Sequence, residues 1–189
     1  MDKVLIVIDA QNDFINGSLG SEEAQKAVPI IIEIVKYANK YFYMNTFLTK
    51  DTHFENYFET QEGKRLPISH CQYLTPGWSI QKDIAQVVED AYLIEKSTFG
   101  YCNWKETEGH TGIALMEEIV LCGFCTDICV MANFQILKAA FPEIPITIIS
   151  DACAGTTPEM HEAALNVMKS CQANVMTWDR WKSQKNKGS

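Results

Sequence analysis

An acid, an amine and a thiol each stand just beyond an apolar run: Asp9 after VLIVI, Lys96 after AYLIE and Cys129 after EIVLCGFCTDI. A free thiol titrates near about 8.5, so little of it is nucleophilic at neutral pH. A neighbouring ammonium and a helix N-terminus both favour the thiolate. An acid beside them can take the thiol proton and return it to a departing amine. Together the three residue types are equipment for attack of sulfur on an amide carbon. A second set lies between them: Asp51-x-His53, followed by His70. One carboxylate and two imidazoles make a plausible ligand set for zinc, manganese or iron.

These residues need a scaffold that brings distant chain segments to one edge. Val4–Ile8 is a continuous apolar, β-branched run, as expected of a strand buried on both faces. Further strands are expected over Tyr41–Thr49, Ala91–Ile94, Glu117–Gly123, Ile146–Ser150 and Asn174–Thr177. Between them, helices are expected from near Pro29 to Lys40, over Ser79–Glu89, from Thr126 to Ala140 and over Pro158–Cys171, which opens on proline. Ser21 with Glu22 and Glu23 reads as a separate helical opening before Pro29. Strands alternating with helices predict an α/β fold: a single-domain, open, mostly parallel sheet with helices on both faces. In such sheets, sites form beyond the carboxyl ends of the strands, where Asp9, Asp51, Lys96, Asp151 and the Gly123–Cys129 turn all fall. The stretch from Asp51 to Pro76 shows no period, and so long an irregular connection is usually functional or disordered. Residues 1–180 are expected to form the domain and 181–189 a solvated tail.

Composition narrows the partners. The formal charge of −8 disfavours nucleic acid and anionic membranes. No apolar run approaches the roughly 18 residues that would span a bilayer. The opening segment, interrupted by Asp9 and Asp13, lacks the plan of a secretory signal. The seven cysteines lie within apolar segments, which fits a reduced, cytoplasmic protein. Cys122, Cys125 and Cys129 have the spacing of half a zinc knuckle, but the second cysteine pair that a zinc ribbon needs is absent.

The segments VIDAQNDF (7–14), EKSTFG (95–100) and GFCTDICV (123–130) occur in the order of the three signature blocks of isochorismatase-like cysteine hydrolases, which include the nicotinamidases. The chain resembles that family over nearly its whole length, down to SDACAG at 150–155. The resemblance implies a doubly wound sheet and a catalytic triad of Asp9, Lys96 and Cys129. It implies a cis peptide at Phe124–Cys125, with the backbone N–H groups of Cys125 and Cys129 as oxyanion donors. It also implies hydrolysis of a small amide, nicotinamide to nicotinate and ammonia in NAD salvage, and assembly as a homo-oligomer. Nicotinamidases carry Asp-x-His and a later His-Cys at places matched by Asp51, His53 and His70-Cys71, and the metal would hold the substrate's ring nitrogen. A further histidine common in the family is Tyr57 here. Some relatives use a glutamate from mid-loop, so the fourth ligand is expected to be Glu62, with Glu59 and Tyr57 as alternatives.

Around this core, Phe14 reads as a wall of the ring pocket, with Tyr101 and Trp104 opposite. Gln11 and Asp13 are expected to organise the loop around Asp9, and Asp127 to cap the helix that carries Cys129. His161 reads as a capping or packing histidine, and His110 carries no motif.

Overall fold

The computed structural model describes residues 2–41 and 46–185. Six strands, β1 (Lys3–Ile8), β2 (Thr46–Asp51), β3 (Tyr92–Lys96), β4 (Glu118–Phe124), β5 (Ile146–Ala154) and β6 (Asn174–Met176), form one sheet in the order β3-β2-β1-β4-β5-β6. Every neighbouring pair is parallel. The helices are α1 (Asn12–Ile15), α2 (Glu22–Tyr41), α3 (Gln61–Arg65), α4 (Lys82–Ala85), α5 (Glu108–Thr111), α6 (Met131–Ala140), α7 (Pro158–Ser170) and α8 (Trp178–Lys185). From β1 the chain steps outward one way to β2 and β3. From β4 it steps the other way to β5 and β6. Right-handed crossovers therefore put α2 on one face and α6 and α7 on the other, and the strand order reverses between β1 and β4. The apolar runs of β1, β2 and β4 are buried along their whole length, as a doubly covered sheet requires.

Four expectations shift. Helix α2 is continuous through Pro29, because Ala24, Ala27, Val28, Ile31 and Ile34 carry one buried face past it. Pro29 and Gln25, whose carbonyl the proline cannot serve, are both exposed. The second strand starts at Thr46 instead of Tyr41, which ends α2; residues 42–45 lie outside the described residues. The stretch Ser79–Glu89 is helical only over Lys82–Ala85, where Gln81 caps the turn by accepting from the backbone N–H groups of Asp83 and Ile84. The expected tail is not all solvated. Trp181 is 1% exposed, stacks on Trp178 and donates its indole N–H to the buried Glu118 at 3.0 Å. Glu118 also pairs with Lys3 and accepts from Thr147. A buried carboxylate needs such partners, and α8 supplies one. No helix among the described residues is long and apolar enough to cross a membrane.

Candidate active site

The reversal in strand order brings the three expected residues together. Asp9 leaves β1 with φ +47°, a conformation that aspartate tolerates better than most residues. Its backbone N–H reaches Thr49 on β2, and the Thr49 hydroxyl donates to Asp9 Oδ1 at 2.7 Å. Oδ2 faces Lys96 Nζ at 2.6 Å and takes no other partner among the described residues. Lys96 ends β3 in register with Asp51, and its side chain crosses the end of β2 to lie 3.8 Å from Cys129 Sγ. The next strand end is shaped by Gly123, at φ +119°, where a Cβ would fall 2.0 Å from the Ile8 carbonyl oxygen. The peptide Phe124–Cys125 is cis, as the resemblance implied. A π-helical turn, Thr126–Val130, then presents Cys129 before α6 begins.

Burial dominates the electrostatics here. It raises Asp9 above the ordinary carboxylate range, against the pull of Lys96. It pushes the Cys129 thiol up as well, again opposed by Lys96. Burial alone would lower Lys96, yet Asp9, Cys129 and Asp51 hold it above its usual value. Lys96 lies within reach of the sulfur, as the thiolate-favouring reading requires, while burial and the charge of Asp9 act against it.

The metal-type residues gather beside this triad. One ligand atom each from Asp51, His53, Glu62 and His70 lies within 4.8 Å of the others. His53 Nε2 is 2.9 Å from Asp51 Oδ2 and 3.5 Å from Glu62 Oε1; His70 Nε2 is 3.5 Å from both oxygens. His53 Nε2 is nevertheless buried without a directed hydrogen bond. Two imidazole and two carboxylate ligand atoms gathered this closely fit a divalent cation. His70 Nδ1 meets the Ile68 carbonyl at 2.9 Å, which fixes the ring as outer hydrogen bonds do at metal sites. Burial would lower both imidazoles, but the two carboxylates raise His53 to about 9 and His70 to about 10. Burial likewise would raise the acids, yet the histidines hold Glu62 at about 2 and Asp51 well below the usual carboxylate range.

Glu62 is brought in by α3, whose N-cap Thr60 accepts from Gly63 N–H at 3.0 Å. Glu59 is not in the cluster. Tyr57 packs its ring on His53 and donates its hydroxyl to the Leu66 carbonyl at 2.8 Å, so it buttresses the loop. Gln11 and Asp13 act as expected. Gln11 bonds the backbone N–H and carbonyl of Asp51, and Asp13 accepts from Cys71 N–H at 2.7 Å.

A cavity of about 780 Å³ opens over both groups, lined by Cys129, Asp51, Glu62 and His70. Phe14 lines it and meets the His70 ring edge-on at 5.7 Å. Tyr101 and Trp104 do not line it. Trp104 is fully buried, and its indole N–H and the Tyr101 backbone N–H both bond the Asn133 side chain behind the nucleophile. The opposite wall is Phe99, Phe124, Ile128 and Leu66. Of these, Phe99, Phe124 and Ile128 lie inside the signature blocks, and that nearness to Lys96 and Cys129 was the signal that could have found them. Asp127 makes no helix cap. It accepts from the Thr156 N–H and hydroxyl at 2.8 and 2.6 Å, tying β5 to the nucleophile turn. His161 packs as expected, with Nδ1 2.8 Å from the Thr126 hydroxyl.

A family model described as the isochorismatase domain matches residues 3–180. The nicotinamidase/pyrazinamidase of Bacillus subtilis aligns with a TM-score of 0.80 at 26% identity, over 93% of this chain and 100% of that one. The pyrazinamidase of Pyrococcus horikoshii, solved in complex with zinc, gives 0.79 at 26% identity, over 94% and 100%. A curated Arabidopsis thaliana relative, described as a probable inactive nicotinamidase, is 25% identical over 193 residues, 95% of this chain and 94% of its own.

Proposed function

The chain belongs to the isochorismatase family, and we propose that it is a cysteine amidohydrolase that converts nicotinamide to nicotinate and ammonia. The observation that carries this reading is Lys96 Nζ held between Asp9 at 2.6 Å and Cys129 at 3.8 Å, with Cys129 lining the cavity. The Cys129 proton passes to Asp9 Oδ2 as sulfur attacks the amide carbon. This transfer leaves the net charge of the three groups unchanged, which matters where all three side chains are buried. Lys96 stays beside whichever partner carries the negative charge. The developing oxyanion turns to the N–H groups of Cys125 and Cys129, donors typically worth about 100- to 1,000-fold each. The carbon–nitrogen bond then breaks, Asp9 gives its proton to nitrogen, and ammonia leaves a thioester on Cys129. Water attacks that thioester with Asp9 as base, and sulfur departs and regains its proton.

A divalent ion held by Asp51, His53, Glu62 and His70 would supply a Lewis-acid anchor for a ring nitrogen. The donor set and the zinc-bound relative favour zinc, with manganese and iron compatible. The Arabidopsis relative is described as inactive; the intact, mutually paired Asp9, Lys96 and Cys129 support turnover in this chain. The deciding experiment is ammonia release from nicotinamide before and after chelation and metal restoration. Release that falls on chelation and returns with zinc, manganese or iron is expected. No release in any metal state, with Cys129 still reactive toward a thiol reagent, would remove nicotinamide as substrate. A second reading, another small amide or ureido compound, is favoured by a cavity larger than one pyridine ring requires.

A further inference from the structure

The cavity has a size and a charge that a small neutral amide leaves unused. Its volume of about 780 Å³ falls in the range of roughly 300–1,000 Å³ that encloses drug-sized ligands. Away from Cys129 its walls are largely apolar, with Leu19, Leu66, Phe99 and Ile128 among them. Charged groups are few. Asp51 and Glu62 are engaged with His53 and His70, and a bound cation would engage them instead. Lys96 is engaged with Asp9 and does not line the cavity. Beside His70, which is paired with those carboxylates, the cationic side chain in the lining is Arg65, exposed and three residues after Glu62 on α3, so on the same side of that turn. Among the described residues no ion pair or hydrogen bond occupies its guanidinium. An arginine keeps its charge at any physiological pH and presents a planar fork that matches a carboxylate.

We infer that Arg65 is a specificity-determining residue that receives a carboxylate at the end of the substrate remote from the scissile amide. The preferred substrates are then carboxamides with an apolar body and an anionic far end. The inference rests on the amidohydrolase reading and extends it, since nicotinamide would fill the region over Cys129 and leave Arg65 without a partner.

The test compares matched amides, 4-carbamoylbenzoate against benzamide and glutaramate against butyramide, by ammonia release from the metal-loaded protein. The wild type should favour the carboxylated member in kcat/KM. Arg65→Gln should cut that preference about tenfold, the scale of a charge-assisted pair. Lys64→Gln removes a neighbouring exposed charge that does not line the cavity and should leave the preference intact. Amides hydrolysed without an anionic preference, or with a preference that survives Arg65→Gln, would overturn the assignment and leave the amidohydrolase standing. A second readout does not need turnover: alkylation of Cys129 by an iodoacetamide bearing a carboxylate arm against one bearing a neutral arm. Faster reaction of the anionic reagent, lost in Arg65→Gln, supports the assignment even if no amide is cleaved and the amidohydrolase reading fails. Equal rates in wild type and variant would refute it.

Discussion

The cavity floor and the cavity side wall are built on opposite plans. At its base, Asp9 and Lys96 stand at strand ends and Cys129 on the turn after β4, and they meet one another, acid to amine and amine to sulfur. On the side, Asp51 alone comes from a strand, and His53, Glu62 and His70 come from the irregular chain that follows it. There two imidazoles and two carboxylates bring ligand atoms to within 4.8 Å of one another, a set that fits a divalent cation. A self-neutral set can work as soon as the chain folds. A set with surplus donors waits for a cation. The comparison teaches that chemistry and ligand capture are separable here, and substitutions should separate them.

The sharpest break is Cys129→Ala. Removing the nucleophile should lower ammonia release by roughly 10⁴-fold or more, on the precedent that the members of such a unit fail together. Metal content measured on the same sample should be unchanged, because Cys129 is not in the Asp51–His70 cluster. Loss of metal along with activity would mean that the two regions are one. Asp9→Asn comes next. It removes the proton acceptor while keeping the shape, and should cost about 10²- to 10⁴-fold in kcat. Alkylation of Cys129 should slow with it, since Lys96 loses the partner that orients it.

On the side wall the effects should be smaller and of another kind. Glu62→Gln or His70→Ala should weaken metal affinity, and Cys129 alkylation should hardly move; an alkylation rate that tracked metal content would break the division. The sign of the pH effect follows from the imidazoles. In the metal-free protein His53 and His70 titrate at about 9 and 10, above the ordinary histidine value. At pH 7 both hold protons that a metal must displace. Affinity should therefore rise from pH 7 toward 9, by up to about tenfold per unit for each proton displaced, and calorimetry should detect proton release. The metal-free protein should behave in the opposite sense. Stability from these charged imidazoles is fully present below about 6.5 and is lost as pH rises through 9 to 10.

The same division decides what could be read in the sequence. Strand ends are legible because an apolar run followed by a chemical residue marks a position; Asp9, Lys96 and Cys129 became a triad through the three signature blocks that carry them. The loop is less so. Asp51, His53 and His70 stand out by residue type, but choosing Glu62 over Glu59 or Tyr57 depends on a short helix started by Thr60 and a glycine close under the Tyr57 carbonyl. Tyr101 and Trp104 misled because nearness in sequence to Lys96 said nothing of direction, and Asn133, which turns them away from the cavity, lies on another helix. The continuity of α2 through Pro29 escaped for a related reason. A proline's local rule was outweighed by a buried face visible only over the whole 20-residue helix.

The smallest expected effect is the most diagnostic of how the floor is tuned. Thr49 sits on β2, outside the three signature blocks, and its hydroxyl donates to Asp9 Oδ1 at 2.7 Å. That bond favours the charged carboxylate and so opposes the burial that raises Asp9. Thr49→Val keeps the shape and deletes the bond. Asp9 should then titrate higher still, and the acid limb of the kcat/KM profile should move to higher pH, because the base form is lost sooner as pH falls. The loss at neutral pH should be about fivefold, the scale of one net hydrogen bond near 1 kcal/mol. Metal affinity should stay where it was, since Thr49 is not in the metal cluster. A shift of the limb without a change in metal binding would show that the floor is adjusted from within the sheet. An unchanged limb with a lower rate would mean that Thr49 only holds the turn at Asp9, and that burial and Lys96 alone set the base.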